Sequence, residues 1–141
     1  MYTSPHFRSA GANAYAVVGT EIGAMSASPH ELIGMLFDGA KTAITMARHN
    51  MAGQEIAAKG NAISKAINIV DNGLKAGLDA RAGGVTGAEL VGNLSALYDY
   101  IVQRLMYANL HNDARALDEA DGLLENIASA WREIGMSHVR N

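Results

Sequence analysis

Apolar residues return every three or four positions through most of the chain from residue 29 onward, and the phase of that repeat restarts at each of several turn signals. The first run is Leu32, Leu36, Ala40, Ala43, Ala47 and Met51, one face of a helix predicted over 29–52. Its start is marked by Ser28-Pro29-His30-Glu31. Ser28 can cap, Pro29 suits the first helical position, and Glu31 stands three residues past the cap, where a capping box needs a carboxylate. A second stripe, Ile56, Ile63, Ile67, Val70, Leu74 and Leu78, lies opposite Asn61, Lys65, Asn68, Asn72 and Lys75, which predicts a helix over 54–78. Residues 79–86 carry a glycine pair and no periodicity, and read as the one longer loop. Thr86 with Glu89 opens a third helix over 87–111, whose face is Leu90, Leu94, Leu97, Tyr98, Ile101 and Leu105. Asn112-Asp113 can cap a fourth over 113–134, with Leu117, Ala120, Leu124, Ile127, Trp131 and Ile134 on one side.

Four long helices joined by short connections pack most readily as antiparallel neighbours. The expected fold is therefore all-α, a single-domain, antiparallel up-down four-helix bundle. Both prolines fall within the first 29 residues, so nothing in the remainder breaks a helix as strongly. Ahead of the bundle, residues 1–12 are rich in small and turn-forming residues and read as a mobile segment. Tyr15, Val18, Ile22 and Met25 suggest a short docking helix over about 13–25 that caps the bundle.

Composition changes this picture in one respect. The chain has 141 residues, 49% hydrophobic but only 6% aromatic, and the apolar share is carried by 25 Ala and 7 Met against 1 Trp and 2 Phe. A core of small side chains lets helices approach closely. No run of 18 or more uncharged apolar residues occurs, and no basic segment precedes a continuous apolar one, so neither a membrane span nor a secretory leader is expected and the reading is cytoplasmic. With no Cys, thiolate metal sites and cysteine nucleophiles are excluded. A balance of 11 Lys and Arg against 14 Asp and Glu gives no footprint for nucleic acid.

Candidate chemistry is thin. A di-iron bundle needs Glu-x-x-His on two helices, and none of the five His has Glu three residues before it. No G-x-S-x-G, P-loop or dinucleotide fingerprint is present. Hence no catalytic residue, metal or cofactor is expected.

What the helical projection leaves over is apolar material off the core stripes. Ile33, Phe37 and Ile44 lie about 100° round from the Leu32 and Leu36 line, taking about 100° per residue, and Ile69 about 120° from the centre of the second stripe. On the third helix Val102, Met106 and Leu110 run along one flank, with Tyr100 and Tyr107 along the other. A bundle that buries wide arcs, or an N-terminal helix lying over them, accounts for such residues structurally. The functional alternative is a hydrophobic groove for an amphipathic partner, in which flexible Met side chains repack around the guest.

The run Met25-Ser26-Ala27-Ser28-Pro29-His30-Glu31-Leu32-Ile33 leading into Met35-Leu36-Phe37-Asp38-Gly39-Ala40 resembles the FliS family of flagellar secretion chaperones. So do Ala57-Ala58-Lys59-Gly60 with Ser64 to Asp79, Asn93-Leu94-Ser95-Ala96-Leu97-Tyr98-Asp99-Tyr100 through Ala108-Asn109-Leu110 and Asn112-Asp113, and Leu123-Leu124 with Asn126-Ile127-Ala128 and Ala130-Trp131. The likeness holds one register over about residues 10–134. It implies a non-enzymatic, cytoplasmic helical-bundle chaperone that binds the disordered C-terminal region of flagellin, prevents premature polymerisation, and supports delivery to a component of the flagellar type III export gate, with other flagellar regulators as further partners. The family's N-terminal Tyr matches Tyr15, whereas the bulky apolar residue some members carry three positions earlier is Ala12 here. On this reading the flagellin groove comprises Ile33, Phe37, Ile44, Ile69, Asn72, Tyr98, Val102, Met106, Asn109 and Leu110, with Tyr15, Val18 and Ile22 as cap or partner contacts. The rival reading is a homo-oligomeric structural or regulatory bundle whose spare apolar edges form a homodimer seam without flagellin.

Overall fold

The computed structural model describes the backbone of residues 28–80 and 88–140, with side chains in 28–78 and 89–135. Four helices account for nearly all of it: α1 (Pro29–Ala52), α2 (56–80), α3 (Ala88–His111) and α4 (Ala114–Arg140). The second is composite. It runs as α-helix over Ile56–Asn68, widens to a π-helix over Ile69–Lys75, and returns to α over Ala76–Ala80. The main packing is α1 with α2, α2 with α3, α3 with α4, and α4 back onto α1, which closes a four-helix bundle. Tyr15, Val18 and Ile22 lie outside the described residues.

Local chemistry sets the ends. At the start of α1 both halves of the capping box form: Glu31 N–H donates to Ser28 Oγ at 3.1 Å, and Ser28 N–H donates to Glu31 Oε1 at 2.9 Å. The two short connections turn through left-handed backbone at Gln54 (φ 60°) and Asn112 (φ 55°). After α3, the Asp113 N–H reaches back to the Ala108 carbonyl at 3.1 Å, while the Asp113 carboxylate accepts from Arg115 N–H at 2.9 Å. One residue therefore closes α3 and opens α4.

The interior is built as its composition requires. Leu36, Ile63, Ile101, Leu105, Leu117 and Leu124 are fully buried, and between them Ala40, Ala43, Ala47, Ala66, Ala108, Ala116 and Ala120 let the helices approach closely. On the seam between α1 and α2 the fit is tightest at Gly73, where a Cβ would stand 3.3 Å from Leu36 Cδ2.

The bundle corrects the reading of five residues. Ile33, Phe37, Ile44 and Ile69, read as off the core stripes, and Tyr98, read on the core face of the third helix yet counted with the groove, all belong to the core, each between 1% and 9% exposed. The apolar arc of α1 is wide because the helix packs against α2 on one side and α4 on the other, so both its edges have a neighbour. Ile69 enters the core at the π-helical turn, whose i to i+5 bonding fits one more residue into the turn. There Ile69, Val70, Gly73 and Leu74 all face inward, an arc of about 140° at about 100° per residue, wider than the stripe drawn through Ile56, Ile63, Ile67, Val70, Leu74 and Leu78.

Candidate functional site

With those five in the interior, the apolar surface that remains is concentrated on α3. Its core side is Tyr98, Ile101, Leu105 and Ala108. One flank carries Tyr100, Arg104, Tyr107 and His111 at helical spacing, and it is polar and satisfied. Tyr100 Oη donates to Glu119 at 2.5 Å, Arg104 Nε donates to the same carboxylate at 2.8 Å, and the Arg104 guanidinium sits 4.6 Å over the Tyr107 ring. Tyr107 in turn lies 4.3 Å from His111. This flank is the seam with α4. The Tyr100 hydroxyl, and after it the Arg104 guanidinium, hold the Glu119 carboxyl below its ordinary range, and Glu119 pushes the Tyr100 hydroxyl up.

The opposite flank, toward α2, is of another kind. Val102 is half-buried, Met106 is 57% exposed and Leu110 is 79% exposed, with the exposed Asn109 beside them. Fully burying a Leu or Met is worth roughly 1.5–3 kcal/mol, and here that gain is left largely unused. Lysines of α2 hold the strip at both ends. Near the end of α3, Lys59 Nζ donates to the Asn109 carbonyl at 3.1 Å and to Asn112 Oδ1 at 3.0 Å; toward its start, Lys75 Nζ pairs with Asp99 at 2.7 Å. Ile56, one turn before Lys59 on α2, is a further apolar residue left 62% exposed. Asn72 lies on α2 within the π-helical turn and donates its amide to Asn68 Oδ1 at 2.5 Å.

The expected set thus divides. Val102, Met106, Asn109 and Leu110 share one flank of α3, and Asn72 lies on the neighbouring helix. Ile33, Phe37, Ile44, Ile69 and Tyr98 are interior. Ile56 and Lys59 were not assigned to the site from the sequence. The signal for Ile56 was visible as an apolar residue in the first turn of α2, but it fell on the core stripe by angle. Lys59 could not be read, because its role depends on the end of a helix fifty residues away.

Other surfaces offer little chemistry. A shallow cleft of about 200 Å³ between α1 and α4 is lined by Glu31, Gly34, Met35, Phe37, Asp38, Ala128 and Arg132. Its outer seam is laced by Lys41 with Asp121 (2.8 Å) and Glu125 (3.5 Å), and by Arg48 with Asp118. Among the described residues, no group of three His, Asp or Glu side chains is placed to hold a metal ion, and no helix is long and apolar enough to cross a membrane.

A closed helical bundle with one satisfied flank and one bare apolar flank on the same helix presents the kind of surface by which a binding protein takes a partner chain. Comparison with known proteins agrees. The sequence profile described as "Flagellar protein FliS" matches residues 11–138. The chain is 56% identical to the flagellar secretion chaperone FliS of Salmonella typhimurium over 134 residues, 95% of this chain and 93% of that one. It is 46% identical to that of Escherichia coli over 87% of this chain and 88% of that one, and 31% identical to that of Bacillus subtilis over 77% and 76%. The chain belongs to the FliS family of flagellar secretion chaperones, a family of non-enzymatic helical proteins.

Proposed function

We propose that this chain is a cytoplasmic export chaperone that binds the disordered C-terminal region of flagellin along the α2-facing flank of α3, keeps it from polymerising, and supports its delivery to a component of the flagellar type III export gate. The supporting observation is membership of the chaperone family across nearly the whole chain, on a bundle whose α3 leaves Met106 and Leu110 largely exposed beside a half-buried Val102. Their spacing of four residues is the pattern by which an amphipathic guest helix is gripped. Ordering a disordered tail costs ~2–5 kcal/mol or more of the gross interaction energy. Burying two or three such side chains, each worth roughly 1.5–3 kcal/mol, offsets a cost of that size. Asn72 and Asn109 supply amides for polar groups of the bound chain.

The test is complex formation. The chain mixed with a flagellin C-terminal fragment should elute as one species on size exclusion, and the fragment should fail to seed filaments while bound. Delivery is tested separately by adding the soluble domain of an export-gate component to the preformed complex. A second copy of this chain is the rival occupant of the same apolar flank. Light scattering across a concentration range separates the two, since a stable dimer indifferent to flagellin supports the rival.

A further inference from the structure

Lys59 is the charged side chain that the bundle buries: among the described residues it alone of the polar side chains falls in the interior class, at 4% exposure. Burying a lysine head is unfavourable unless its donors are used, and here they are. Its Nζ spans from the start of α2 to the Asn109 carbonyl and the Asn112 amide oxygen. The Asn109 carbonyl belongs to the last turn of α3, where backbone acceptors lack helical partners and the dipole favours a cation. Asn112 is the left-handed residue that ends the helix. The Asn109 side chain lies over Gly60, the residue after Lys59, where a Cβ would come 3.9 Å from its Oδ1.

These contacts meet under the bare flank. Leu110, 79% exposed, and Met106, 57% exposed, have little packing of their own to hold them, so their positions are inherited from the backbone of the last turn. A helix end without a clamp frays in that turn. We propose that Lys59 is a positioning residue for partner binding: it pre-organises the C-terminal turn of α3, so that Asn109 and Leu110 present a fixed register to the incoming segment. Affinity then gains because less order has to be imposed on binding. An apolar side chain of equal length would fill the same space but leave both oxygens unpaired and the turn free to move. The role rests on the flagellin reading given above.

The experiment uses the full chain, Lys59→Met and Asn112→Gly, each with and without Leu110→Ala. Asn112→Gly removes one acceptor while keeping the left-handed backbone accessible, and it serves if Lys59→Met fails to fold. Hydrogen exchange is followed at residues 108–112, and a synthetic flagellin C-terminal peptide is titrated by calorimetry. Expected results are unchanged helicity, faster exchange confined to the end of α3, and about a tenfold loss of peptide affinity in Lys59→Met. Leu110→Ala should cost several-fold less in the clamp-deficient backgrounds than in the wild type, since a side chain on a loosened turn is already poorly used. Equal costs of Leu110→Ala in both backgrounds, or faster exchange with unchanged affinity, overturn the positioning role alone. A wild-type chain that does not bind the peptide overturns the flagellin reading and this role together.

Discussion

Trp131 stacks flat on His30, with ring centroids 4.4 Å apart and planes 8° from parallel, and its indole N–H donates to the carbonyl of the same histidine at 3.0 Å. Two contacts therefore tie the first turn of α1 to α4. The glycine one turn further on makes room for the histidine: a Cβ at position 135 would fall 2.2 Å from His30 Nε2. Gly135→Ala is expected to expel the ring. Losing the stack costs about 0.5–1.5 kcal/mol, while alanine in a helix gains up to about 1 kcal/mol over glycine, so net stability should move by less than about 1 kcal/mol. The near-ultraviolet circular dichroism of Trp131, the chain's one tryptophan, should nonetheless change clearly. An unaltered spectrum would contradict the placement of His30.

Interior and flank residues of similar character should respond in opposite ways. Ile69 is 1% exposed, so Ile69→Asp places a carboxylate in the core and is expected to cost more than about 3 kcal/mol, enough to prevent stable folding. Met106→Asp, on the flank, should stay within about 0.5 kcal/mol of the parent. Urea unfolding of the two variants decides the matter, and only the second is fit for a binding assay.

The bond between Tyr100 and Glu119 makes stability fall at both ends of the pH scale. Glu119 titrates lower in the fold than its ordinary value of 4.5, so the stability it contributes is complete above that value and is lost as pH falls through the depressed one. Tyr100 titrates higher than its ordinary 10.0, so its contribution is complete below 10.0 and is lost as pH rises through the raised value. Tyr100→Phe should flatten the alkaline limb and weaken the acid one. Glu31, held low by the backbone and hydroxyl of Ser28, adds to the acid limb in both proteins. Chemical denaturation at a series of pH values measures this; identical profiles for parent and Tyr100→Phe would show that the bond is not formed in solution.

The charged seam between α1 and α4 should matter modestly. Lys41 is partly covered and bridges Asp121 and Glu125, whose exposed partners limit what the bridge is worth. Lys41→Met is expected to cost no more than about 1 kcal/mol, and the difference from the parent should shrink in about 1 M salt. A loss several times larger, insensitive to salt, would mean that the lysine stem and not its charge holds the seam.

Much of the fold was legible because its determinants are local. Repeating apolar positions, the Ser28 to Glu31 box and the absence of later prolines each act within a few residues, and together they specify four helices that must pair. The candidate site was legible only in part. Val102, Met106, Asn109 and Leu110 could be seen to run along a flank, but whether an off-stripe residue is bare depends on how many neighbours its helix has. Phe37 and Ile44 are covered because α1 has two, and Ile69 because the buried arc of α2 takes in Gly73 and is wider than the stripe of large apolar residues. Lys59 reaches across the bundle to the end of α3, a contact that the spacing in its own stretch of sequence does not show.

On the proposed function, the bare flank of α3 grips the flagellin tail. The most direct measurement is calorimetric titration of a flagellin C-terminal peptide into the parent, into Met106→Asp with Leu110→Asp, and into Met46→Asp as a control. Met46 is similarly exposed, at 56%, but lies on α1. Binding by the parent and the control, with at least about a hundredfold loss in the α3 double variant at unchanged helicity, is the result expected for two buried anchors exchanged for charges. Equal affinity in all three would contradict the assignment of this flank.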